Sequence, residues 1–261
     1  MAIAAHIIHI WVRTDVPWED EAAFDAQLPD AFRPLVELWN ATFTTPYHEF
    51  RAAVRDVARD NHAAVEGARV SRWEEIPDGA LVLPVDDDDW FAPDAATALA
   101  GTDADLVRWP SAFLEVDVDL LHTLSRRARR LLPGVGPKWV CTTNNYAVRK
   151  RPGMERLAES HVAASRWVRQ EGRGGAVAAA GTREGRVAAL DRRLSVMNRT
   201  LASQTTLRRH RTPIDREGLL RKHARYLDVY GAGARVDGEL AWIRPYARRM
   251  GALTEALEVR G

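Results

Sequence analysis

The chain has 261 residues, of which 46% are hydrophobic and 28% charged, a balance typical of a soluble globular protein with a substantial core. The formal net charge of +1 provides no overall field that would attract nucleic acid or anionic lipid. Cys141 is the only cysteine, which excludes an intrachain disulfide, and no apolar stretch is long enough for a membrane-spanning helix. We therefore expect a cytoplasmic protein with no nucleic-acid partner and no transmembrane segment, and leave peripheral contact with a membrane open.

The predicted elements alternate between strands and helices. A buried strand is predicted over 4–14, whereas 35–43 fits either a strand or a helix. The later elements are a helix over 47–68, a turn at 76–79, a strand over 80–85, a helix over 93–101, strands over 104–110 and 113–121, a strand-like segment within 141–150, a helix over 153–172, a last strand and turn over 185–198, and an amphipathic helical segment from Ile214 with a break at 231–238. This alternation predicts an α/β fold with a mainly parallel sheet flanked by helices. We expect a domain over 1–212 and a helical C-terminal extension over 213–261 packed on the same domain.

Four consecutive aspartates interrupt the segment "LVLPVDDDDWFAPD" directly after an apolar strand. Two carboxylates about 5 Å apart repel each other by about 3 kcal/mol at an effective dielectric constant of ~20. If the backbone stays extended, Asp86 and Asp88 share one side of it and Asp87 and Asp89 the other. Mg²⁺ or Mn²⁺ commonly takes one or two carboxylates and completes its shell with water and phosphate oxygens. The pattern favours such a cation site at a strand end, and the alternative is a solvated turn in which Asp89 caps the next helix.

The segment resembles the "hydrophobic strand, D-x-D-D, aromatic, x, Pro" signature of GT-A-fold glycosyltransferases, particularly the family 2-like group. Three further segments follow in the family's order. They are "VARDNHAAVEGA" before the acidic strand, "ADLVRWP" after it and "CTTNNYAVRKR", which is similar to the donor-sugar segment. "LSVMNRTLASQTTLRR" is similar to the tail of some rhamnosyltransferase-like members. The resemblance covers residues 57–210.

The resemblance implies a GT-A-like (Rossmann-like) fold and an enzyme that moves a sugar from a nucleotide-diphosphate donor to the hydroxyl of an unidentified acceptor, with Mn²⁺ or Mg²⁺. It implies that Asp88 is the main cation ligand and that Asp86 contacts the cation or the ribose. The other donor-binding residues implied by their places in the matching segments are Asp87, Arg59, Asn61, Trp109, Asn144 and Asn145. Arg13 and Thr14 are further donor-binding candidates, because they occupy the place of the turn that follows the family's first strand, although they do not match its "P-x-Y/F-N" pattern. Core packing is the alternative for Trp109, and a turn is the alternative for the two asparagines.

The catalytic base is the part of the family pattern that this sequence matches least. The family often has a Glu-Asp pair in the helix after the donor segment, and this chain has "AESHVAASRW" there. Glu159 and His161 lie near that position, and a histidine can accept a proton at neutral pH. Surface or helix-packing roles are the alternative for both. Two other functions stay open: a Mg²⁺-dependent nucleotidyl or phosphoryl transferase and a non-catalytic GT-A-like binding protein.

Overall fold

The computed structural model describes residues 7–13, 28, 30–114, 144–152, 154, 187–203 and 214–261. The strands in these ranges are β1 (Ile8–Arg13), β2 (Ala68–Val70), β3 (Leu81–Asp86), β4 (Trp90–Phe91), β5 (Leu106–Arg108), β6 (Ala112–Leu114), β7 (Tyr146–Arg149), β8 (Val187–Ala189) and β9 (Ser195–Asn198). The α-helices are α1 (Arg33–Thr42), α2 (Tyr47–Ala63), α3 (Ala95–Leu99), α4 (Arg216–Gly233) and α5 (Arg244–Glu255). Short 3-10 helices cover Asp30–Phe32, Trp73–Glu75 and Gly238–Ile243.

The chain divides into two compact units. Of the described residues, the first unit contains 7–13, 61–112, 144–152, 154 and 187–197. The second unit contains 28, 30–60, 113–114, 198–203 and 214–261.

A mixed six-stranded sheet forms the first unit, with the order β2–β1–β3–β7–β5–β8. β1 is parallel to β2 and β3, and β5 is parallel to β8. β7, however, is antiparallel to both of its neighbours, β3 and β5. The predicted α/β class with helices flanking the sheet is confirmed, and the predicted mainly parallel sheet is wrong. Alternation along the chain does not fix the direction of a strand, and β7 enters the sheet after the long segment 115–143.

The central strands are apolar because both faces of the sheet are covered. Every residue of β3 before Asp86 is buried, and in β1 only Val12 is half-buried. One face carries a buried cluster of side chains from four strands and the segments beside them. Its members are Trp11, Trp73, Ile76, Val82, Leu106, Tyr146, Val148 and Met154. A smaller sheet has the order β4–β9–β6, and β4 pairs with β9 in antiparallel register.

The second unit has an aromatic core that explains why 35–43 is helical. Proline lies in the first turn of α1, where it costs no hydrogen bond. The helical spacing then turns Val36, Trp39 and Thr42 inward. The Trp39 ring centroid lies 4.8 Å from that of Phe43 and 5.0 Å from that of Phe50. The predicted C-terminal helical segment is confirmed. It consists of α4 and α5, and the predicted interruption of the helix lies between them.

Several element boundaries differ from the prediction. α2 ends at Ala63 rather than at 68. A turn over 64–67 follows, and Gly67, with a φ of +78°, ends it and leads into β2, a strand that was not predicted. α3 is shorter than predicted. The segment over 185–198 contains two strands instead of one. The helix predicted over 153–172 lies outside the described residues, apart from Met154.

Candidate functional site

The aspartate run forms a tight turn between β3 and β4. The Asp89 backbone N–H donates to the Asp86 carbonyl over 3.1 Å, so the prediction of an extended backbone through these residues is wrong. Four residues suffice to reverse the chain before Trp90, which starts β4. The exposure still alternates: Asp86 and Asp88 are half-buried, whereas Asp87 and Asp89 are buried. The predicted helix-capping role of Asp89 is also not observed, because the residue before α3 is Asp94.

Arg13 lies at the end of β1, directly opposite Asp86 at the end of β3. Its Nη2 is 3.0 Å from Asp86 Oδ1, and the two side chains are 6% and 31% exposed. Burial alone lowers the pKa of the Arg13 guanidinium, but the negative charge of Asp86 and the nearby Tyr146 hydroxyl outweigh burial and raise that pKa above its usual value. The guanidinium carbon also lies 5.8 Å from the centroid of the Trp11 ring. Arg13 therefore stays charged and offsets part of the repulsion among the aspartates.

The strand order reverses at this point. From β1, the chain passes to β2 on one side of β1 and then to β3 on its other side. Ligands of open α/β sheets bind outside the carboxyl ends of the strands at such a switch point. Arg13 and Asp86 are the last residues of the two strands that flank it.

Side chains in the last turn of α2 form hydrogen bonds with the backbone of the acidic turn and of β4. Asn61 is fully buried; its Nδ2 donates to the Phe91 carbonyl over 2.9 Å, and its Oδ1 accepts from the Phe91 N–H over 2.8 Å. His62 Nε2 lies 2.9 Å from the Asp89 carbonyl and, because a carbonyl only accepts, Nε2 carries the proton. Burial lowers the pKa of His62 to about 4, against a smaller opposing effect of this hydrogen bond. Asn61 thus fixes the backbone next to the aspartates, and its donor-binding role stays a prediction.

Asn144 and Asn145, from the segment that is similar to the family's donor-sugar segment, belong to a buried hydrogen-bond network. Asn144 Nδ2 donates to the Val196 carbonyl over 3.0 Å, and the Trp109 Nε1–H donates to Ser195 Oγ over 2.9 Å. Asn145 Nδ2 donates to the Trp109 carbonyl over 2.9 Å. Asn144 and Trp109 are fully buried, and these hydrogen bonds of their side chains join them to other protein atoms in this structure. Direct contact of these three residues with a donor stays a prediction.

Three other predicted site residues lie outside the described residues, and one lies on a helix surface. Thr14, Glu159 and His161 fall in the ranges that the structure does not describe. Arg59 is exposed on α2, where its Nη2 lies 2.8 Å from Asp56 Oδ1. This ion pair joins neighbouring turns of one helix.

A cavity of about 430 Å³ lies at the carboxyl ends of β1 and β2. Its wall includes the Trp11 and Trp73 rings, whose centroids are 5.0 Å apart, and the side chains that follow β2 from Ser71 to Glu75. Ser71 Oγ lies 2.9 Å from His9 Nδ1, and both residues are buried. Burial and the nearby positive charges of Arg69 and Lys150 lower the pKa of His9, so its imidazole is neutral at pH 7. Trp11 links this cavity to Arg13 through the ring contact described above.

Three residues near this edge of the sheet were not predicted as site residues: His62, Tyr146 and Ser71. His62 follows Asn61 directly, and that adjacency was the signal available in the sequence. Tyr146 and Ser71 carry no comparable signal, because their places depend on strand pairing and on an unpredicted strand.

Asp86 and Asp88 are candidates for the protein share of a cation shell that ligand oxygens would complete. Within the described ranges, no group of three or more His, Cys, Asp or Glu side chains could enclose a metal ion. Asp86 and Asp88 are the two half-buried carboxylates of the turn, and one or two carboxylates are the usual protein share for Mg²⁺. Arg13 competes with a cation for Asp86.

Comparisons with protein-family models, curated proteins and solved structures give no match to this chain. Among the described helices, none combines the length and apolar character needed to cross a membrane.

Proposed function

We propose that this protein is a GT-A-like glycosyltransferase that uses a nucleotide-diphosphate sugar and a divalent cation. The observation that carries the proposal is the Arg13–Asp86 pair at the carboxyl ends of two parallel strands, next to a turn that keeps Asp86 and Asp88 accessible. An arginine at a switch point suits a diphosphate, because guanidinium groups bind phosphate oxygens in bidentate fashion. The acidic pair suits the divalent cation that would accompany the diphosphate.

In this proposal the side chains position the donor. Asp86 and Asp88 would hold Mn²⁺ or Mg²⁺, which supplies positive charge to stabilise a leaving diphosphate. Arg13 would contact the same diphosphate, and the cavity beside Trp11 and Ser71 would receive the nucleoside. The bond between the sugar carbon and the diphosphate oxygen breaks as the acceptor oxygen bonds to that carbon, and the acceptor proton passes to a base. Glu159 and His161 remain the proposed bases.

The Arg13–Asp86 pair also favours a second candidate, a non-catalytic GT-A-like binding protein. A guanidinium that permanently neutralises Asp86 would take the place of the cation. Such a protein would bind a nucleotide sugar without turning it over, or would bind none.

Thermal unfolding with UDP-, GDP- and dTDP-sugars, with and without Mn²⁺, tests the proposal. A ligand at one hundred times its Kd raises the free energy of unfolding by about 2.7 kcal/mol. We expect one donor class to stabilise the wild type in a Mn²⁺-dependent manner and release nucleoside diphosphate in the presence of an acceptor. Release of pyrophosphate would instead indicate a nucleotidyl transferase.

Matched variants connect the result to the turn. Asp88→Asn and Asp86→Asn should lose the Mn²⁺-dependent part of the stabilisation and the turnover, whereas Asp78→Asn, in an exposed turn of the same unit, should retain both. If both turn variants keep cation-dependent turnover, the proposed role of the turn is wrong. Binding without any turnover in the wild type would favour the non-catalytic candidate.

A further inference from the structure

Strand register places four side chains at the carboxyl edge of one sheet face. Arg13 lies opposite Asp86, and Arg108 at the end of β5 lies opposite Tyr146 at the start of β7. Because β7 is antiparallel, its first residue lies at the edge where β1, β3 and β5 end.

The buried cluster confirms that these residues share a face. Residues two positions apart in a strand point the same way. Trp11 and Leu106 both belong to the cluster, and Arg13 and Arg108 each follow one of them by two residues. Tyr146 is itself a member and lies near the Arg13 guanidinium. The Arg108 side chain therefore extends over the same face as the Arg13–Asp86 pair.

The spacing suits an extended anion. β1 and β5 are separated by β3 and β7, so the two strands lie about 14 Å apart across the sheet, at ~4.8 Å per strand. The register also places Arg13 two residues further along the sheet than Arg108. Arg13 is buried and Arg108 half-buried. Both side chains start near the carboxyl edge of the same sheet face, and two long guanidinium side chains at this spacing can contact the two phosphates of one diphosphate.

We infer that Arg108 is a second positioning residue for the diphosphate, opposite Arg13, with the Tyr146 hydroxyl between them. This inference rests on the proposed function, since it assigns a residue to the same donor. Arg108 would contact the phosphate oxygens and leave the nucleoside to the cavity beside Trp11.

Calorimetry with the full chain and Mn²⁺ tests the inference by comparing a nucleoside diphosphate with the matching nucleoside monophosphate and nucleoside. UDP, GDP and dTDP are the probes, and the tightest-binding one is carried forward. Arg108→Gln should weaken diphosphate binding by at least about tenfold and leave nucleoside affinity unchanged. Arg108→Lys should fall between Arg108→Gln and the wild type, because an ammonium group keeps the charge but loses the bidentate contact.

Arg192→Gln is the matched control, since Arg192 pairs with Asp94 on the surface of the same unit and should not affect either ligand. Wild-type diphosphate affinity in Arg108→Gln, or an equal loss for diphosphate and nucleoside, would overturn the role of Arg108 and leave the proposed function standing. If the wild type binds none of the nucleotides, the proposed function fails, and the inference fails with it. Arg108→Lys decides the question if Arg108→Gln does not fold.

Discussion

Asp86 illustrates how one residue can have both a partner within the protein and a proposed ligand. The sequence shows the run of aspartates, and repulsion within it predicts that something positive is nearby. In the structure this positive group is Arg13, whose Nη2 lies 3.0 Å from Asp86 Oδ1. About seventy residues separate the two in the sequence. That partner was not predictable, because the contact depends on the register of β1 against β3.

His62 gives a prediction at the same scale. Its pKa is about 4 in the folded protein, below the ordinary value of 6.5, because burial disfavours the charged ring. Between these two values the unfolded chain binds a proton that the folded protein does not. The stabilising effect of a neutral His62 is therefore complete above pH 6.5, falls as the pH decreases towards 4 and amounts to about 3 kcal/mol over that window.

Urea unfolding from pH 7.5 to 4.5 measures this effect. His62→Gln keeps a side-chain N–H for the Asp89 carbonyl but cannot titrate, so its stability should fall less steeply with decreasing pH than that of the wild type. The pKa of His9 is also lowered by burial, and it contributes equally to both curves. Parallel curves for the two proteins would show that His62 does not supply the pH dependence.

At the scale of elements, sequence patterns predicted what depends on local composition. β1 and β3 are runs of buried apolar residues, and α2 has apolar side chains at helical spacing, so all three were found near their observed positions. β2 has three residues and is mostly exposed at the sheet edge, so it gives no apolar signal. The direction of β7 was also missed, since it is decided by pairing rather than by composition.

The network around Asn144 joins β9 to the segments after β5 and before β7, and it provides the element-scale prediction. Asn144→Asp replaces the Nδ2 donor to the Val196 carbonyl by an oxygen in a fully buried place. The substitution should lower the free energy of unfolding by about 3 kcal/mol at pH 7, since a buried acceptor then faces another acceptor or a charge. Chemical unfolding measures the loss, which should decrease at low pH as the new carboxyl is protonated.

Asn40→Asp is the matched control for this change. Asn40 is exposed on α1, and its Oδ1 accepts from the Tyr47 N–H over 2.9 Å, so aspartate preserves this contact. We expect a change within about 0.5 kcal/mol. A comparable loss in both variants would mean that the substitution itself, and not the buried network, is responsible.

At the scale of the whole molecule, the structure groups segments that are distant in the sequence. Residues 30–60 and 214–261 belong to the same compact unit, although nothing in their composition indicates it. The boundary predicted between 212 and 213 stays a prediction, because it was drawn from the local helical pattern alone. Contacts between the ends of a chain depend on complementary shapes that a single sequence does not display.

Phe43 is one of the residues through which these segments meet in the second unit. It is fully buried, its ring centroid lies 4.8 Å from that of Trp39 and 5.5 Å from that of His223, and its backbone forms a bridge with Val259. Phe43→Ala should lower the free energy of unfolding by about 3–5 kcal/mol, because it leaves a cavity between three separate segments. Val259→Ala keeps the same backbone bridge and trims a side chain that is 46% exposed, so its loss should stay near 0.5 kcal/mol in guanidinium unfolding monitored by tryptophan fluorescence. Equal losses would contradict the prediction, because they would mean that the buried Phe43 ring contributes no more to stability than the half-exposed Val259 side chain.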